Sequence, residues 1–399
     1  MNIDYVAKVN ESRVYEAAKV TALERMRRFS AKLGAEVFLK REDTQSIHSF
    51  KIRGAYNKMC RLPKELLAQG VLAASAGNHA QGVALSAQLL GTKATIVMPE
   101  TTPQLKIDEV KGLGAEIVLK GETYSDAAAE ARRLVAEKGL TFIPPYDDPD
   151  VIAGQGTVAK EILEQCPQVD AIFVPIGGGG FAAGVSAYVK GVKPSVKVYG
   201  VEPEDSDCMR RSIDAGECVT VEHPGLFADG VCVKTPGVET FRICRECLDG
   251  IVLVTMSEIC RSIGDIFEAT RSVCEPAGAL GFAALKKTLK RGETGVAIVS
   301  GANMNFDSLC FIAADASAVR FRDRIMADGK IDFSETTELL RALKAYVTPD
   351  PKIEELIRVL EDARFNGEIS ARESATILES LENLLDRQMI TAAEREALM

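Results

Sequence analysis

The sequence has few histidines, no tryptophan and no long apolar run. His48, His79 and His223 are the only histidines and lie far apart, which leaves little material for a histidine-rich metal centre or a Ser-His-Asp hydrolase. No stretch has the length and apolarity that a membrane span needs, and the N-terminal residues lack the pattern of a secretory signal. These absences predict a cytoplasmic protein that does not enter a membrane.

A surplus of positive charge is also missing. The 399 residues carry a formal net charge of -9, which argues against nucleic acid or an anionic membrane as the main partner and favours small molecules. The cysteines are scattered among apolar residues, which predicts reduced thiols. Cys244 and Cys247 form a CxxC pair, but no second pair or nearby histidine completes a zinc site, so we interpret them as ordinary thiols on one helix.

Up to about residue 315, short β-branched runs alternate with longer Ala-rich stretches. This alternation predicts an α/β fold in which helices cover parallel strands. The predicted strands are GVLAASAG, KATIVMP, AEIVLKG, TFIPPY, AIFVPIG, VKVYGVEP, DGIVLVT and GVAIVSG. The Pro-rich loop IPPYDDPDVIAGQG interrupts the rhythm, so we expect it to connect a smaller subdomain, about 44–147, to a larger one.

The last eighty or so residues have a different character, because strand-like runs stop near Val319. We predict a catalytic region over 1–318 and a helical domain over 319–399. Three related phrases in this domain predict helix starts with capping boxes: Asp332 with Glu335, Ser370 with Glu373, and Thr391 with Glu394. A calcium loop at the first phrase is disfavoured, because Arg324 and Met326 would occupy coordinating positions without a side-chain oxygen.

Lys51 is the first candidate for chemistry. The segment HSFKIRGA places it in a short polar turn, with a helix predicted to begin near Gly54. Its neighbours Phe50 and Ile52 would desolvate the amine and lower its basicity, as a lysine that bonds to an aldehyde requires. The alternative is an ordinary solvated surface charge.

Two further segments place polar groups at strand ends. ASAGNHAQG follows the strand GVLAA, and its small residues would expose backbone N–H groups at a positive helix end, where a carboxylate binds. Asn78 adds a directed amide donor, although the run could also be a plain tight turn. AIVSGAN places Ser300 at the carboxyl edge of a sheet, where ligands of α/β proteins bind.

Four consecutive glycines, Gly177–Gly180, follow the strand AIFVPI and precede an Ala-rich helix. Such a loop lets main-chain N–H groups approach a phosphate closely. The kind of phosphate stays open, since Gly177, Gly179 and Ala182 also satisfy a dinucleotide fingerprint, with Glu202 after the next strand. A nucleotide-dependent dehydrogenase is therefore an alternative function for this chain. A binding protein that acts through its C-terminal helical domain is a second alternative.

In this order the segments resemble the fold type II pyridoxal phosphate enzymes, most closely the threonine ammonia-lyases (threonine dehydratases), over residues 5–315. The motifs SFKIRGA, SAGNHAQG, PPYDDP with VIAGQGT, VPIGGGG, LFADGV, EPAGAL and SGAN carry the resemblance. It implies two open, twisted parallel sheets with helices on both faces, and pyridoxal phosphate as cofactor. It also implies deamination of L-threonine to 2-oxobutanoate, in a homodimer or homotetramer, with L-serine as the alternative substrate.

The resemblance implies a role for each matching residue. Those assigned to the cofactor are Lys51 at its aldehyde with Phe50 alongside, Asn78 at its 3-hydroxyl, Gly177, Gly178, Gly179, Gly180 and Phe181 at its phosphate, and Ser300 at its pyridine nitrogen. Those assigned to the substrate carboxylate are Ser75, Ala76, Gly77, Asn78 and His79.

Serine racemases are similar over the same segments but have a serine where this chain has Ala76. Alanine has no proton to give, so we expect poor racemisation. The cation site of the racemases corresponds to Glu202 and Asp207, but the loop between them is one residue shorter here, and a bound metal is not predicted. Since the C-terminal segment departs from the βαβ-type regulatory domains of biosynthetic threonine dehydratases, inhibition by isoleucine is not expected.

Overall fold

A computed structural model describes residues 3–306, 308–309, 311–313, 315–316, 340, 356–361 and 377. The predicted capping boxes near the C-terminus and the boundary at 319 lie outside the described residues. The strands are β1 Leu23–Arg25, β2 Glu36–Arg41, β3 Val71–Ala74, β4 Ala94–Met98, β5 Glu116–Leu119, β6 Thr141–Phe142, β7 Ala171–Pro175, β8 Lys197–Pro203, β9 Gly250–Val254 and β10 Thr294–Val299.

Helices connect and cover these strands. They are α1 Tyr5–Asn10, α2 Arg27–Leu33, α3 Lys51–Met59, α4 Lys64–Gln69, α5 Asn78–Leu90, α6 Gln104–Gly112, α7 Tyr124–Lys138, α8 Pro149–Gln165, α9 Gly180–Val192, α10 Cys208–Ala215, α11 Val238–Cys247, α12 Met256–Thr270 and α13 Pro276–Thr288. Short 3₁₀ turns lie at Val14–Glu16, Glu42–Thr44 and Asp229–Val231. In the part of the chain that the structure describes, we find no helix with the length and apolarity to cross a membrane.

Two sheets organise the fold. One has the strand order β1-β2-β10-β7-β8-β9, and the other has the order β5-β4-β3-β6. All pairings are parallel except that of the edge strand β1 with β2. The predicted α/β class and all the predicted strands are confirmed. The sequence analysis missed β1 and β2, because charged residues such as Lys40 and Arg41 in β2 are buried through ion pairs.

The six-stranded sheet is covered by helices on both faces. Along β7, Ile172 and Val174 pack into a core with α8 and α9, whereas Phe173 packs into a second core with α12 and α13. The alternation follows from the period of two in a strand, and both faces are apolar because neither meets water. Each such buried side chain contributes about 1.5–3 kcal/mol, so the double cover holds the sheet's carboxyl edge rigid.

The four-stranded sheet is also covered on both faces. Val71 and Ile96 belong to a core that contains residues of α5, and Leu72 belongs to a core that contains residues of α7. The Pro-rich loop leads from β6 to α8, whose first amides are capped by the Asp148 side chain. This path of the chain supports our proposal that the smaller subdomain spans about residues 44–147.

The start of α3 corrects one prediction, because the helix begins at Lys51 itself and not near Gly54. Gly54 lies inside the helix, where a Cβ would approach the Gln155 amide nitrogen to 2.5 Å. Glycine is therefore needed for the close packing of α3 on α8. Residues 154–159, GQGTVA, repeat the GxGxxA spacing of the dinucleotide fingerprint, but they lie within α8 and form no phosphate loop. Cys244 and Cys247 lie on α11 as predicted, and both are free thiols.

Candidate active site

Three helix N-termini and the carboxyl end of one strand meet at the candidate site. Lys51 begins α3, Asn78 begins α5, Gly180 begins α9, and Ser300 follows β10. Direct contacts join these segments: the Phe50 amide donates to the Ser300 carbonyl at 3.1 Å, and the Asn303 side chain donates to Asn78 Oδ1 at 2.6 Å. The Phe50 and Phe181 rings are stacked with centroids 4.0 Å apart. All four segments predicted from the sequence thus come together.

The Lys51 amine is held in a poorly solvated position. Its Nζ donates a hydrogen bond to the Pro145 carbonyl at 3.0 Å, in the Pro-rich loop that also carries Tyr146. Burial lowers the pKa of Lys51 to about 8, although the nearby Glu275 carboxyl acts in the opposite direction. A lysine with this pKa has a useful neutral fraction near neutral pH, so it can act as a nucleophile and as a base.

Ser300 is fixed by the backbone around it. The segment before Lys51 pairs with the segment after β10 through a bridge between Ser49 and Gly301 and a bond from the Ala302 amide to the His48 carbonyl at 2.9 Å. Ser300 is buried, and its hydroxyl donates to the Ala277 carbonyl at 3.4 Å. The strand end therefore presents this hydroxyl next to the start of α3.

The glycine loop offers unpaired donors at a helix end. Among the described residues, the amides of Gly177, Gly178 and Gly179 have no hydrogen-bond acceptor. The loop is nevertheless fixed, because the Gly178 carbonyl accepts from the Gly237 amide at 3.2 Å and from Thr240 Oγ1 at 2.6 Å. Ordered, unpaired amides at the N-terminus of a long helix such as α9 suit a phosphate.

Crowding explains why these residues are glycines. A Cβ at Gly178 would overlap the Tyr146 ring, a Cβ at Gly180 would lie 2.8 Å from the Tyr146 carbonyl oxygen, and Gly179 has a φ of +94°. Side chains at Gly178 and Gly180 would collide with Tyr146 and force the loop to move. The free amides, the glycine surface and the amine of low basicity therefore fit a phosphate-bearing aldehyde, as pyridoxal phosphate is.

Gly178→Ala is expected to weaken the affinity for pyridoxal phosphate by about 10- to 100-fold, because overpacking against Tyr146 must move the loop amides. The dissociation constant can be measured by absorbance titration of the apoprotein. Gly112→Ala is a matched control, since a Cβ there would meet nothing within 4 Å. Equal affinities for the two variants would contradict a phosphate site at this loop.

The loop before α5 carries the residues assigned to the substrate carboxylate. Ser75, Ala76, Gly77 and Asn78 are partly exposed, and Ser75 Oγ accepts from the Gly77 amide at 3.2 Å. His79 differs, because its ring is buried and Nε2 donates to the Ile143 carbonyl at 2.9 Å. Burial and the Lys51 charge lower the pKa of His79 to about 3, so the ring is neutral. Its contact with the carboxylate stays a prediction.

The sequence analysis did not single out Glu275, which precedes α13 in the motif EPAGAL. This glutamate is buried, and its Oε1 accepts a hydrogen bond from Asn78 Nδ2 at 2.8 Å. One clue was present in the sequence. Pro276 marks a helix start, and the cap position before it holds Glu instead of the usual Ser, Thr, Asp or Asn. The partner of the carboxyl group, however, is 197 positions away.

Glu202 is not available to a nucleotide ribose. It lies within β8, and its carboxylate accepts hydrogen bonds from the amides of Met209 and Arg210, each at 2.9 Å. The dehydrogenase alternative therefore loses its acidic residue. Asp207 is paired with Arg211 at 2.7 Å. No group of three or more metal-ligating side chains occurs among the residues that the structure describes.

Two sheets of mainly parallel strands, with a lysine amine near a glycine-rich loop that suits an anion, define a pyridoxal phosphate enzyme of fold type II. The chain belongs to the family described as pyridoxal-phosphate dependent enzymes, whose model matches residues 14–301. This match confirms the predicted cofactor and fold class. It also supports the interpretation of the site as catalytic.

Individual relatives agree with this assignment. The chain is 54% identical, over 81% of its length and 66% of the relative's, to a biosynthetic L-threonine dehydratase of Burkholderia multivorans. The chain thus spans slightly less than two thirds of that relative. A solved threonine deaminase isoform 2 from Solanum lycopersicum superposes with a TM-score of 0.77 at 44% identity, over 78% of this chain and 87% of that one. Maize serine racemase superposes with a TM-score of 0.73 at 32% identity, over 76% and 95%.

Proposed function

We propose that the protein converts L-threonine to 2-oxobutanoate and ammonia. The observation that carries this proposal is the Lys51 amine, whose pKa is lowered to about 8 and which lies close enough to His79 on α5 for its charge to lower the pKa of that ring. The printed names of the relatives supply the substrate, since the threonine dehydratase and the threonine deaminase act on threonine by name. The relative from Burkholderia multivorans is named a biosynthetic enzyme. On this basis we also propose that the reaction is the first step toward isoleucine.

The residues assigned to the cofactor have chemistry that suits it. Lys51 would bond to its aldehyde, the amides of Gly177–Gly180 would hold its phosphate, Asn78 would bind its 3-hydroxyl, and Ser300 would bind its ring nitrogen. When bound, pyridoxal phosphate supplies an electron-withdrawing ring that stabilises negative charge at the substrate α-carbon. Because Ser300 is a neutral hydroxyl and not a carboxylate, it does not hold a full positive charge at the ring nitrogen, which favours elimination over transamination.

Lys51 then moves the proton. Lys51 Nζ, freed when the substrate amine replaces it at the aldehyde, would accept the α-proton of the substrate, and the β-hydroxyl group would leave as water by taking up one proton in exchange. Water re-enters when the C–N bond is hydrolysed, so one threonine yields one 2-oxobutanoate and one ammonia with no change in oxidation state overall. The N–H groups at the start of α5 would bind the substrate carboxylate during these steps.

Serine is the alternative substrate, and the two can be compared directly by measuring ketoacid release. We expect kcat/KM for L-threonine to exceed that for L-serine by about tenfold or more, since one methyl group in an apolar pocket is worth roughly 10- to 200-fold. A preference for serine would instead identify a serine dehydratase. Release of ketoacid from neither amino acid would defeat the proposed function.

Racemisation is disfavoured because Ala76 has no ionisable hydrogen to deliver to the opposite face of the substrate.

We also propose that residues 319–399 form a separate helical domain, that the chain assembles into a homodimer or homotetramer, and that it works in the cytoplasm. The free thiols of Cys244 and Cys247 support a reducing compartment. Sedimentation velocity of the purified protein would measure the oligomeric state.

A further inference from the structure

Glu275 is a buried carboxyl group that faces the candidate site. The side chain is 2% exposed, and the protein backbone lies close to its carboxyl group on two sides. A Cβ at Gly301 would overlap its Oε1, and a Cβ at Gly230 would lie 3.4 Å from the same atom. The glycines thus leave room for this carboxylate between the loop after β10 and the 3₁₀ turn Asp229–Val231. Nothing in the proposed proton transfers accounts for it.

The contacts of Glu275 determine how the Asn78 amide is oriented. Asn78 Nδ2 donates to Glu275 Oε1 at 2.8 Å, and a carboxyl oxygen can accept this bond in either protonation state. On the other side, Asn78 Oδ1 accepts from the Asn303 side chain at 2.6 Å. These two contacts fix which way the side-chain nitrogen and oxygen of Asn78 point. One N–H of Asn78 then remains to donate to a ligand oxygen.

The charges that face Glu275 come from several elements. Lys51 on α3 lies within electrostatic range, and so do Asp229 and Lys106, which form an ion pair with each other at 2.8 Å. Burial raises the pKa of Glu275 to about 8, and the charge of Asp229 acts in the same direction. The hydrogen bond from Asn78, the Lys106 charge and a hydrogen bond from the Asn303 backbone lower the pKa and oppose this rise. The carboxylate in turn favours the charged form of Lys51.

We propose that Glu275 is a positioning residue of this site, which orients the Asn78 amide toward the cofactor and, when it is ionised, favours the ammonium form of Lys51. The inference rests on the proposed function, because it assigns Asn78 to a cofactor oxygen. It adds a buried acid to a site whose predicted members include none.

The first test measures pyridoxal phosphate affinity of the apoprotein by absorbance titration. Glu275→Ala is expected to weaken binding by about tenfold, since Asn78 loses its hydrogen bond to the buried carboxyl group. Glu275→Gln should recover most of this loss, because its side-chain oxygen still accepts from Asn78. If Glu275 acts through Asn78, the double variant Asn78→Ala/Glu275→Ala should bind no more weakly than Asn78→Ala alone.

A matched control separates this effect from a general loss of packing. Asp265 is another buried carboxylate, paired with Lys286 at 2.7 Å on α13. Asp265→Asn should lower the melting temperature without changing the affinity for the cofactor. Circular dichroism of each apoprotein would establish that the variants fold.

The second test measures the reactivity of Lys51 as a function of pH in the apoprotein. Pyridoxal would be trapped on the lysine with borohydride and the modified peptide quantified by mass spectrometry. Glu275→Gln should move the profile to lower pH, because the ammonium form of Lys51 loses a nearby negative charge. Wild-type affinity in Glu275→Ala together with an unchanged profile in Glu275→Gln would overturn the inference. Failure of the wild-type chain to bind the cofactor would instead defeat the proposed function.

Discussion

Lys51→Ala is expected to abolish both the absorption band of the lysine-bound cofactor and the release of ketoacid from threonine. The loss in kcat should be roughly a thousandfold or more, because one substitution removes the group that bonds to the aldehyde and the base that takes the α-proton. The variant should still fold, since the one hydrogen bond of Lys51 Nζ to a residue that the structure describes is that to the Pro145 carbonyl. A visible spectrum and a coupled ketoacid assay would measure both effects.

Lys58→Ala provides the control on the same helix. Lys58 lies on α3 and pairs with Asp148 at 2.7 Å at a partly exposed position, where such a pair contributes little. The band and the activity should both survive in this variant. Retention of the band in Lys51→Ala would show that the reactive amine belongs to a different lysine.

Arg53→Met is expected to cause the largest loss of stability, about 3–5 kcal/mol in the free energy of unfolding. The Arg53 guanidinium is fully buried and pairs with Glu42 at 2.7 Å and Glu161 at 2.6 Å. Lys40 also contacts Glu161, at 2.6 Å. Without Arg53, two buried carboxylates would share one cation, and α3 would lose its polar anchor to α8. Urea titration of the apoprotein would measure the change.

The acid response of the same variant has a defined sign. Burial alone would raise the pKa of the Glu42 carboxyl, but the charge and hydrogen bonds of Arg53 hold it below its usual value. The stabilisation is therefore present above the unfolded pKa and is lost as pH falls through the folded pKa. Arg53→Met should lose less stability on acidification than the wild type does.

A matched surface variant keeps the Arg53 prediction specific. Arg133 pairs with Glu130 and Glu137 on the exposed side of α7, so Arg133→Met should change the urea midpoint little. If the two variants had equal unfolding free energies, the buried network would contribute no more than a surface pair.

The sequence alone predicted most of the strands and the four segments that come together at the candidate site. β7 and β10 are apolar runs covered on both faces, so their composition identifies them. The glycine loop and Lys51 stand out because only a few residue types can do what these positions require. β2 was missed because its Lys40 and Arg41 look solvated until their distant carboxylates are known. The beginning of α3 was misjudged because Gly54 was interpreted as a helix start when it serves packing against α8.

By itself, the sequence determined the α/β class and the cofactor and singled out Lys51 as the lysine predicted to bond to it, because these depend on local residue types and on the order of motifs. Only the tertiary structure decided the environment of that lysine. Pro145 lies 94 positions from Lys51, and Glu275 lies 197 positions from Asn78. Burial and through-space charge set the basicity of an amine, and neither quantity is encoded in the residues next to it.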